Sequence, residues 1–336
     1  MQDCRQQPLY STIFETLSKS ARTDLTVFLN KHKDAKDYFL ISDYCIGDKD
    51  KYNDVYSFVI LPYVVNCRRY ISTIKDLLPQ DYKKTSILTD KNKKALLTMP
   101  YLATNFIIPA KFRNILKCRN DKEEFKKIIL QNIEMFNLWI QNNPKNEKLY
   151  KEHIQKHKQL LQKSQRNDFN IRLYIRSFFT ASLAAYLTHE IEKYSKVTRI
   201  FWGTDRDDML SSNNEILLDN YLIQYNGFAR NDKDWTYNSN FIPGIMHPDT
   251  GTNNWYDELI RLPDFCAGAL ASVNFIDDNE KIAHISAPTE KQQDKYYNVL
   301  DCIKQNSINI IIKKESRENK AEIFYAWRLE YVISKH

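Results

Sequence analysis

The sequence predicts an α/β protein in which a mixed sheet is flanked by helices, with helical insertions and an N-terminal helical extension. Apolar runs of strand length, rich in β-branched and aromatic residues, recur between residues 38 and 332. Longer segments with apolar residues at helical spacing separate these runs. The segments follow the order β-β-α-β-α-β-β-α with further helices between them, an order typical of a layered α/β fold.

The composition is that of a folded protein with a mildly basic balance. The 336 residues are 43% apolar and 13% aromatic, with only 6 glycines, and Lys plus Arg exceed Asp plus Glu by 49 to 42. Neither a Walker sequence nor G-x-G-x-x-G occurs, which argues against P-loop and dinucleotide-binding sites. The formal charge of +7 is compatible with a polyanionic partner such as nucleic acid.

Cysteine usage and hydropathy predict a cytoplasmic protein. The 6 cysteines are scattered without a C-x-x-C pair, and no signal-peptide pattern precedes them, so reduced thiols are expected. The longest uncharged apolar runs, such as residues 56–65, are far shorter than the ~20 residues that span a bilayer. No membrane segment is therefore expected.

The N-terminal half predicts a helical extension followed by a hairpin. Apolar residues at helical spacing over residues 8–32 predict a helix or helix pair, which defines an extension over residues 1–35. Residues 38–42 and 56–65 then predict two strands joined by a polar turn. A helix is expected over residues 68–78, and the sequence predicts a third strand at 105–109.

The sequence as a whole predicts a core over residues 36–280, which contains an amphipathic helical insertion at about 121–194. A C-terminal appendage of helix and strands is expected over residues 281–336. The elements expected after the insertion are strands at 199–203 and 241–246, a helix starting near Leu262, a helix at 291–303, and strands at 308–312 and 323–332. The sequence leaves open whether the long helices form the interface of a homodimer or bind a partner protein.

Acids stand beside three of these elements. Asp43 ends the run YFLISD, Asp205 and Asp207 follow the strand RIFWG, and Asp264 opens the small-residue helix LPDFCAGALA. Carboxylates gathered in one place repel each other unless a cation compensates them, and hard divalent cations prefer carboxylate oxygens. The pattern therefore predicts a metal site that performs phosphodiester chemistry.

Each acid also has an alternative interpretation. An acid after a strand is commonly a turn former or a helix N-cap, and Asp207 or Asp208 would suit a helix from Met209 onward. Asp257 and Glu258 are interpreted as loop and cap residues, with a supporting role near the site left open.

The histidines give weaker signals. His153 and His157 are spaced i, i+4 but lack the glutamate that a zinc protease carries after its first histidine. His247 precedes the turn into the last core helix, where it would be able to shuttle a proton.

Two short motifs add a resemblance. The stretches ISDYCIG and LIRLPDFCAGAL resemble the D-E-x-G strand and the A-D-x-x-A-G helix of a large, mostly bacterial, RNase H-like family of uncharacterised predicted nucleases. The similarity covers residues 36–275 in element order. It implies that the first and fourth strands lie side by side, so that Asp43 and Asp205 become neighbours. The helix with Asp264 would then return over the same edge, with Pro263 in its first turn.

The resemblance implies a metal-dependent nuclease. Asp43, Asp205 and Asp264 would bind Mg²⁺ or Mn²⁺, which activates a water for attack on a phosphodiester of RNA or DNA. RNase H-like enzymes often draw a further ligand from the helix after strand three, which corresponds to Glu123 or Glu124 here.

The sequence also departs from the family motif. Tyr44 stands where the family usually has a second acid, and Gly47 comes one residue late. The alternative is a catalytically inactive RNase H-like protein that binds nucleic acid or a protein partner through basic segments. Two such clusters occur: Lys111, Arg113, Lys117 and Arg119, and Lys156, Lys158, Lys163 and Arg166.

Overall fold

The computed structural model describes residues 6–85, 87–117, 121–212, 215–236, 240–246, 254–277, 282–286, 290–316 and 322–333. The chain forms two compact units. The first comprises Met1–Ile115, Tyr194–Asp205 and Asn240–His336, and the second comprises Leu116–Lys193 and Arg206–Ser239.

The first unit contains the strands, and the α/β class expected from the sequence is confirmed. The strands are β1 (Asp37–Cys45), β2 (Asn53–Pro62), β3 (Leu102–Pro109), β4 (Arg199–Thr204), β5 (Ile242–Ile245), β6 (Asn274–Asp277), β7 (Ile282–Ser286), β8 (Ser307–Ser316), β9 (Glu322–Arg328) and β10 (Glu330–Val332). Seven of them form a mixed sheet in the order β5-β4-β1-β2-β3-β8-β9, and a smaller sheet has the order β10-β7-β6.

Helices lie in both units. They are α1 (Gln6–Thr16), α2 (Arg22–Lys31), α3 (Cys67–Leu77), α4 (Asp90–Thr98), α5 (Asp121–Asn142), α6 (Glu147–Lys163), α7 (Ile171–Tyr194), α8 (Asp208–Ser211), α9 (Ile216–Asn231), α10 (Asp257–Ala271) and α11 (Glu290–Ile303). Within the described part of the chain, none of them combines the length and the apolarity that crossing a membrane requires.

The strand order brings the predicted first and fourth strands together. β1 is antiparallel to β2 and parallel to β4, with Ser42 opposite Thr204. β2 is buried along its whole length, and α10 packs across β1 and β2. Parallel neighbours end at the same edge of a sheet, so the carboxyl ends of β1 and β4 meet there.

The C-terminal segment is an integral part of the sheet, whereas the sequence predicts an appendage. β8 pairs in parallel with β3, with Thr104 opposite Ile308, and β9 is antiparallel to β8. The apolar run of β8 predicts a strand correctly, but periodicity carries no information on its pairing partner. The N-terminal extension also joins this layer, because α1 packs against β9.

The helical insertion is larger than the sequence predicts. Besides the helices of the predicted segment, the second unit includes α8 and α9, which follow β4 along the chain. The insertion therefore consists of two segments, one before and one after β4.

Candidate active site

Two of the predicted acids lie at the shared edge of β1 and β4. Asp43 is inside β1, which extends to Cys45, instead of following the strand. Side chains alternate along a strand, so Asp43 shares a face with Phe39 and Ile41, which belong to the core that includes α10 residues. The backbone N–H of Asp205 donates to the carbonyl of Ser42 at 3.3 Å, which extends the β1–β4 pairing to the acids.

Asp264 lies in the middle of α10 and does not open it, so the predicted helix start is wrong. The helix begins at Asp257, where the backbone N–H of Asn254 donates to the Asp257 carboxylate at 2.7 Å. Pro263 lies inside the helix, not in its first turn. An internal proline removes one helical hydrogen bond, and the buried packing of α10 offsets this loss.

The three acids line one cavity. Asp43, Asp205 and Asp264 border a space of about 530 Å³ whose lining belongs entirely to the first unit. The rest of its wall comes from Tyr44 and Cys45 at the end of β1, from Lys51, from the loop of residues 80–84, from Asn254 and from α10 as far as Gly268. The three acids that the resemblance expects to be neighbours thus border one cavity, and their role as metal ligands stays a prediction.

The carboxyl group of Asp264 has a raised pKa. Its Oδ2 accepts a hydrogen bond from the backbone N–H of Tyr82 at 2.9 Å. Burial, together with the charges of Asp81 and Asp205, raises the pKa of Asp264 to about 6, against the opposite effects of the Tyr82 N–H and of Lys83. Asp205 thus repels Asp264 across the cavity.

The donor set suits a hard cation, but no complete cage is preformed. Among the residues that the structure describes, no group of three His, Cys, Asp or Glu side chains is close enough to hold a metal ion. Mg²⁺ is usually bound by one or two carboxylates together with waters and substrate phosphates. Asp43, Asp205 and Asp264 offer such oxygens, and their repulsion is the kind that a cation relieves.

Tyr44, which replaces the second acid of the resembling family, is committed to hydrogen bonds within the sheet. Its hydroxyl accepts from the Thr204 hydroxyl at 2.9 Å and shares a hydrogen bond with the Ser42 hydroxyl at 2.6 Å. The indole of Trp202 donates to the same Ser42 oxygen at 3.0 Å. Alternation places Tyr44 on the opposite face from Asp43, beside the ring of Phe58.

Asp257 and Glu258 line the cavity, whereas Asp207, Glu123 and Glu124 do not. Asp207 caps α8, where its carboxylate accepts from the Leu210 N–H at 3.0 Å, as the alternative interpretation predicted. Glu123 and Glu124 lie in the first turn of α5. All three belong to the second unit, and His247 lies outside the described residues.

The i, i+4 histidines of α6 are part of a buried polar network. His157 Nε2 is 3.1 Å from the Asn132 amide, and its Nδ1 is 2.9 Å from the carbonyl of His153. His153 pairs with Asp219 at 2.9 Å. Burial lowers the pKa of His157, so a neutral ring joins these helices within the second unit.

Periodicity missed the loop that borders the acids. The segment LPQDYKK contributes Asp81, Tyr82 and Lys83 to the cavity wall. Its only local signals are a proline and adjacent charges of both signs, which many surface turns share. Lys51, in the hairpin turn, was missed for the same reason.

Comparison of the chain with protein-family models, with curated proteins and with solved structures found no match. The chemistry of the site therefore has to be argued from its own residues.

Proposed function

We propose that the protein is a metal-dependent nuclease of RNase H-like type that hydrolyses phosphodiester bonds. The observation that supports this most is the convergence of Asp43, Asp205 and Asp264 on one cavity at the carboxyl ends of two adjacent parallel strands. Ligands of open α/β sheets commonly bind at such an edge. The proposed cation is Mg²⁺ or Mn²⁺, and the proposed substrate is RNA or DNA.

The three acids have distinct tasks in this proposal. Asp43 and Asp205 present carboxylates from adjacent strands, and Asp264 closes the group from the overlying helix. A bound Mg²⁺ or Mn²⁺ supplies an activated water and neutralises charge on the phosphate. The Tyr82 N–H restricts Asp264 to one orientation, and a carboxylate with a pKa near 6 is ionised at neutral pH.

A catalytically inactive binding protein is the second candidate. It is favoured by Tyr44, whose hydroxyl is occupied by Ser42 and Thr204 where the resembling family has an acid. Such a protein would hold nucleic acid or a protein partner in the same cavity without turnover, and a homodimer would be one such assembly.

A cytoplasmic location is also part of the proposal. Cys45, Cys266 and Cys302 are buried free thiols among the described residues, and burial raises the pKa of each. Buried, protonated thiols are inert and are usual in proteins from a reducing compartment.

The test is cleavage of labelled single- and double-stranded DNA and RNA in Mg²⁺, Mn²⁺ or EDTA. Asp43→Asn and Asp264→Asn should each reduce cleavage by more than the roughly 10- to 100-fold typical of residues that only orient metal ligands. Asp76→Asn is the matched control, because Asp76 is an exposed acid of α3 outside the cavity. Binding without cleavage by every variant would favour the inactive protein.

A further inference from the structure

Two of the lysines that line the cavity form no ion pair with the acids of its wall. Lys84 forms an ion pair with Asp81 at 3.6 Å, and Arg261 forms one with Glu258. Lys51 and Lys83 also line the cavity, and neither forms an ion pair with any residue in the described ranges. The wall therefore holds these two positive charges in addition to the carboxylates of Asp43, Asp205, Asp257 and Asp264.

Lys51 is fixed at the C-terminal end of α10. Its Nζ donates to the Ser272 hydroxyl at 2.7 Å, and that hydroxyl donates to the carbonyl of Gly268 at 2.6 Å. The next two residues tie the turn to the same helix end, since the Tyr52 N–H donates to Ala271 at 3.0 Å and the Asn53 amide to Leu270 at 2.9 Å. An ammonium has three donors, and Ser272 uses one of them.

Lys83 lies on the neighbouring wall. Its backbone N–H donates to the Asp81 carboxylate at 2.8 Å, which shapes the loop, while its side chain is exposed. Lys51 and Lys83 thus come from two separate turns of the chain that border the same cavity.

A third ammonium lies behind this wall. Lys295 is buried, and its Nζ donates to the carbonyl of Tyr82 at 2.6 Å and lies 4.0 Å from the centre of the Tyr82 ring. Lys51 and Lys295 both lie over the Tyr296 ring, at 5.9 and 5.8 Å. Burial lowers the pKa of Lys295 and the charge of Lys51 lowers it further, whereas the charges of Asp264 and Asp81 act in the opposite direction.

The spacing along α10 separates Lys51 from the acids, whereas Lys83 lies close enough to Asp264 to lower its pKa. Ser272, which holds Lys51, comes eight residues after Asp264 at the end of the helix. At a rise of 1.5 Å per residue this is about 12 Å. A single phosphate at the carboxylates cannot also occupy the position beside Lys51, so a substrate that uses both must carry at least two phosphates.

We propose that Lys51 and Lys83 form a subsite for a second phosphate of an oligonucleotide, distinct from the phosphate held at Asp43, Asp205 and Asp264. The identification of the ligand as an oligonucleotide rests on the proposed function. It selects an oligonucleotide over a mononucleotide ester, since only the former reaches both places. Lys295 holds the Tyr82 loop in position behind the subsite.

The test measures binding of a fluorescein-labelled single-stranded 12-nucleotide DNA and RNA in EDTA, where no metal-dependent turnover occurs, over a series of salt concentrations. Each phosphate contact with a single strand contributes about 0.7 to the slope of log K against log salt. Lys51→Gln and Lys83→Gln should each lower the slope by about that amount and weaken binding about 5-fold at 0.1 M salt. Lys33→Gln, which removes the same charge from an exposed site outside the cavity, should leave the slope unchanged.

The outcomes separate this inference from the nuclease proposal. Reduced salt slopes for both cavity variants, with circular dichroism spectra like that of the wild type, support the subsite. This conclusion holds even where the wild type cleaves no substrate in Mg²⁺ or Mn²⁺, because the absence of cleavage would contradict only the nuclease proposal. Slopes equal to that of Lys33→Gln would overturn the subsite even where cleavage is observed. A 5′-phosphorylated mononucleotide that competes with the 12-mer as well as a dinucleotide does would overturn the requirement for two phosphates.

Discussion

The backbone N–H of Tyr82 is hydrogen-bonded to Oδ2 of Asp264, 182 residues further along the chain. One helical turn beyond Asp264, the Tyr82 ring packs against the helix at Gly268, where no side chain intervenes. Lys295 holds the carbonyl of the same tyrosine from α11. Loop, helix and α11 thus meet at one residue, and the orientation of Asp264 depends on all three.

Gly268→Ala should destabilise the protein. A Cβ at residue 268 would lie 2.2 Å from Cδ1 of Tyr82, so the ring has to move, and overpacking of this kind costs about 1–3 kcal/mol. Urea denaturation measures the change. The control is Gly227→Ala in α9, where a Cβ meets nothing within 4 Å and alanine should stabilise the helix by about 0.5–1 kcal/mol. Equal effects of the two substitutions would contradict the close packing of Tyr82 on α10.

Because of Asp264, the free energy of unfolding should fall as the pH rises from about 4 to about 6. Its folded pKa of about 6 lies above the usual aspartate pKa of 3.8, so between these values the folded state binds a proton that the unfolded state has lost. The contribution of Asp264 to the free energy of unfolding is fully present below the unfolded-state pKa. It is lost as the pH rises through the folded-state pKa. The total is at most about 3 kcal/mol. Denaturation midpoints of wild type and Asp264→Asn across pH 4–7 check this, and parallel profiles would refute it.

The same pKa predicts a pH threshold for metal. A cation binds the ionised carboxylate, so Mg²⁺ or Mn²⁺ should raise the melting temperature clearly at pH 7.5 and much less at pH 5. Asp264→Asn should abolish the difference, whereas Asp76→Asn should preserve it. A metal-induced shift that is independent of pH in the wild type would place the cation away from Asp264.

Lys295→Met should loosen the 80–84 loop. The substitution keeps most of the apolar stem but leaves the carbonyl of Tyr82 without its donor, at a cost of about 1–3 kcal/mol. Hydrogen exchange of the Tyr82 amide, which Asp264 protects, should accelerate. Lys304→Met, at an exposed position just after α11, serves as the control. Unchanged exchange at Tyr82 would show that Lys295 does not support the loop.

Tyr44→Phe distinguishes a structural tyrosine from a catalytic one. Removing the hydroxyl takes a partner from Ser42 and Thr204 and should cost about 1 kcal/mol. Metal-dependent cleavage per folded molecule should be unchanged, because the hydroxyl of Tyr44, although Tyr44 borders the cavity, is engaged by Ser42 and Thr204. A large loss of cleavage at unchanged stability would instead assign Tyr44 to the chemistry.

Local patterns in the sequence were sufficient for the α/β class and for the strands that carry Asp43 and Asp205, whereas the expectation that Asp264 would join these acids came from the family resemblance. Strand period, helical period and the residue types at element ends are local properties, so they can be predicted from neighbours in the chain. The same local rules misplaced the start of α10, because Pro263 has the usual signature of a first helical turn and the packing that tolerates it inside the helix is not local.

The tertiary structure alone decided which strands pair and which loop borders the acids. β8 joins β3 across more than 190 residues of sequence, and Tyr82 reaches Asp264 across 182. Lys51 and Lys83 come from separate turns and meet only at the cavity. Such contacts are selected by the burial of whole apolar faces and by the pairing of buried polar groups, and these depend on the complete set of elements, not on any segment taken by itself.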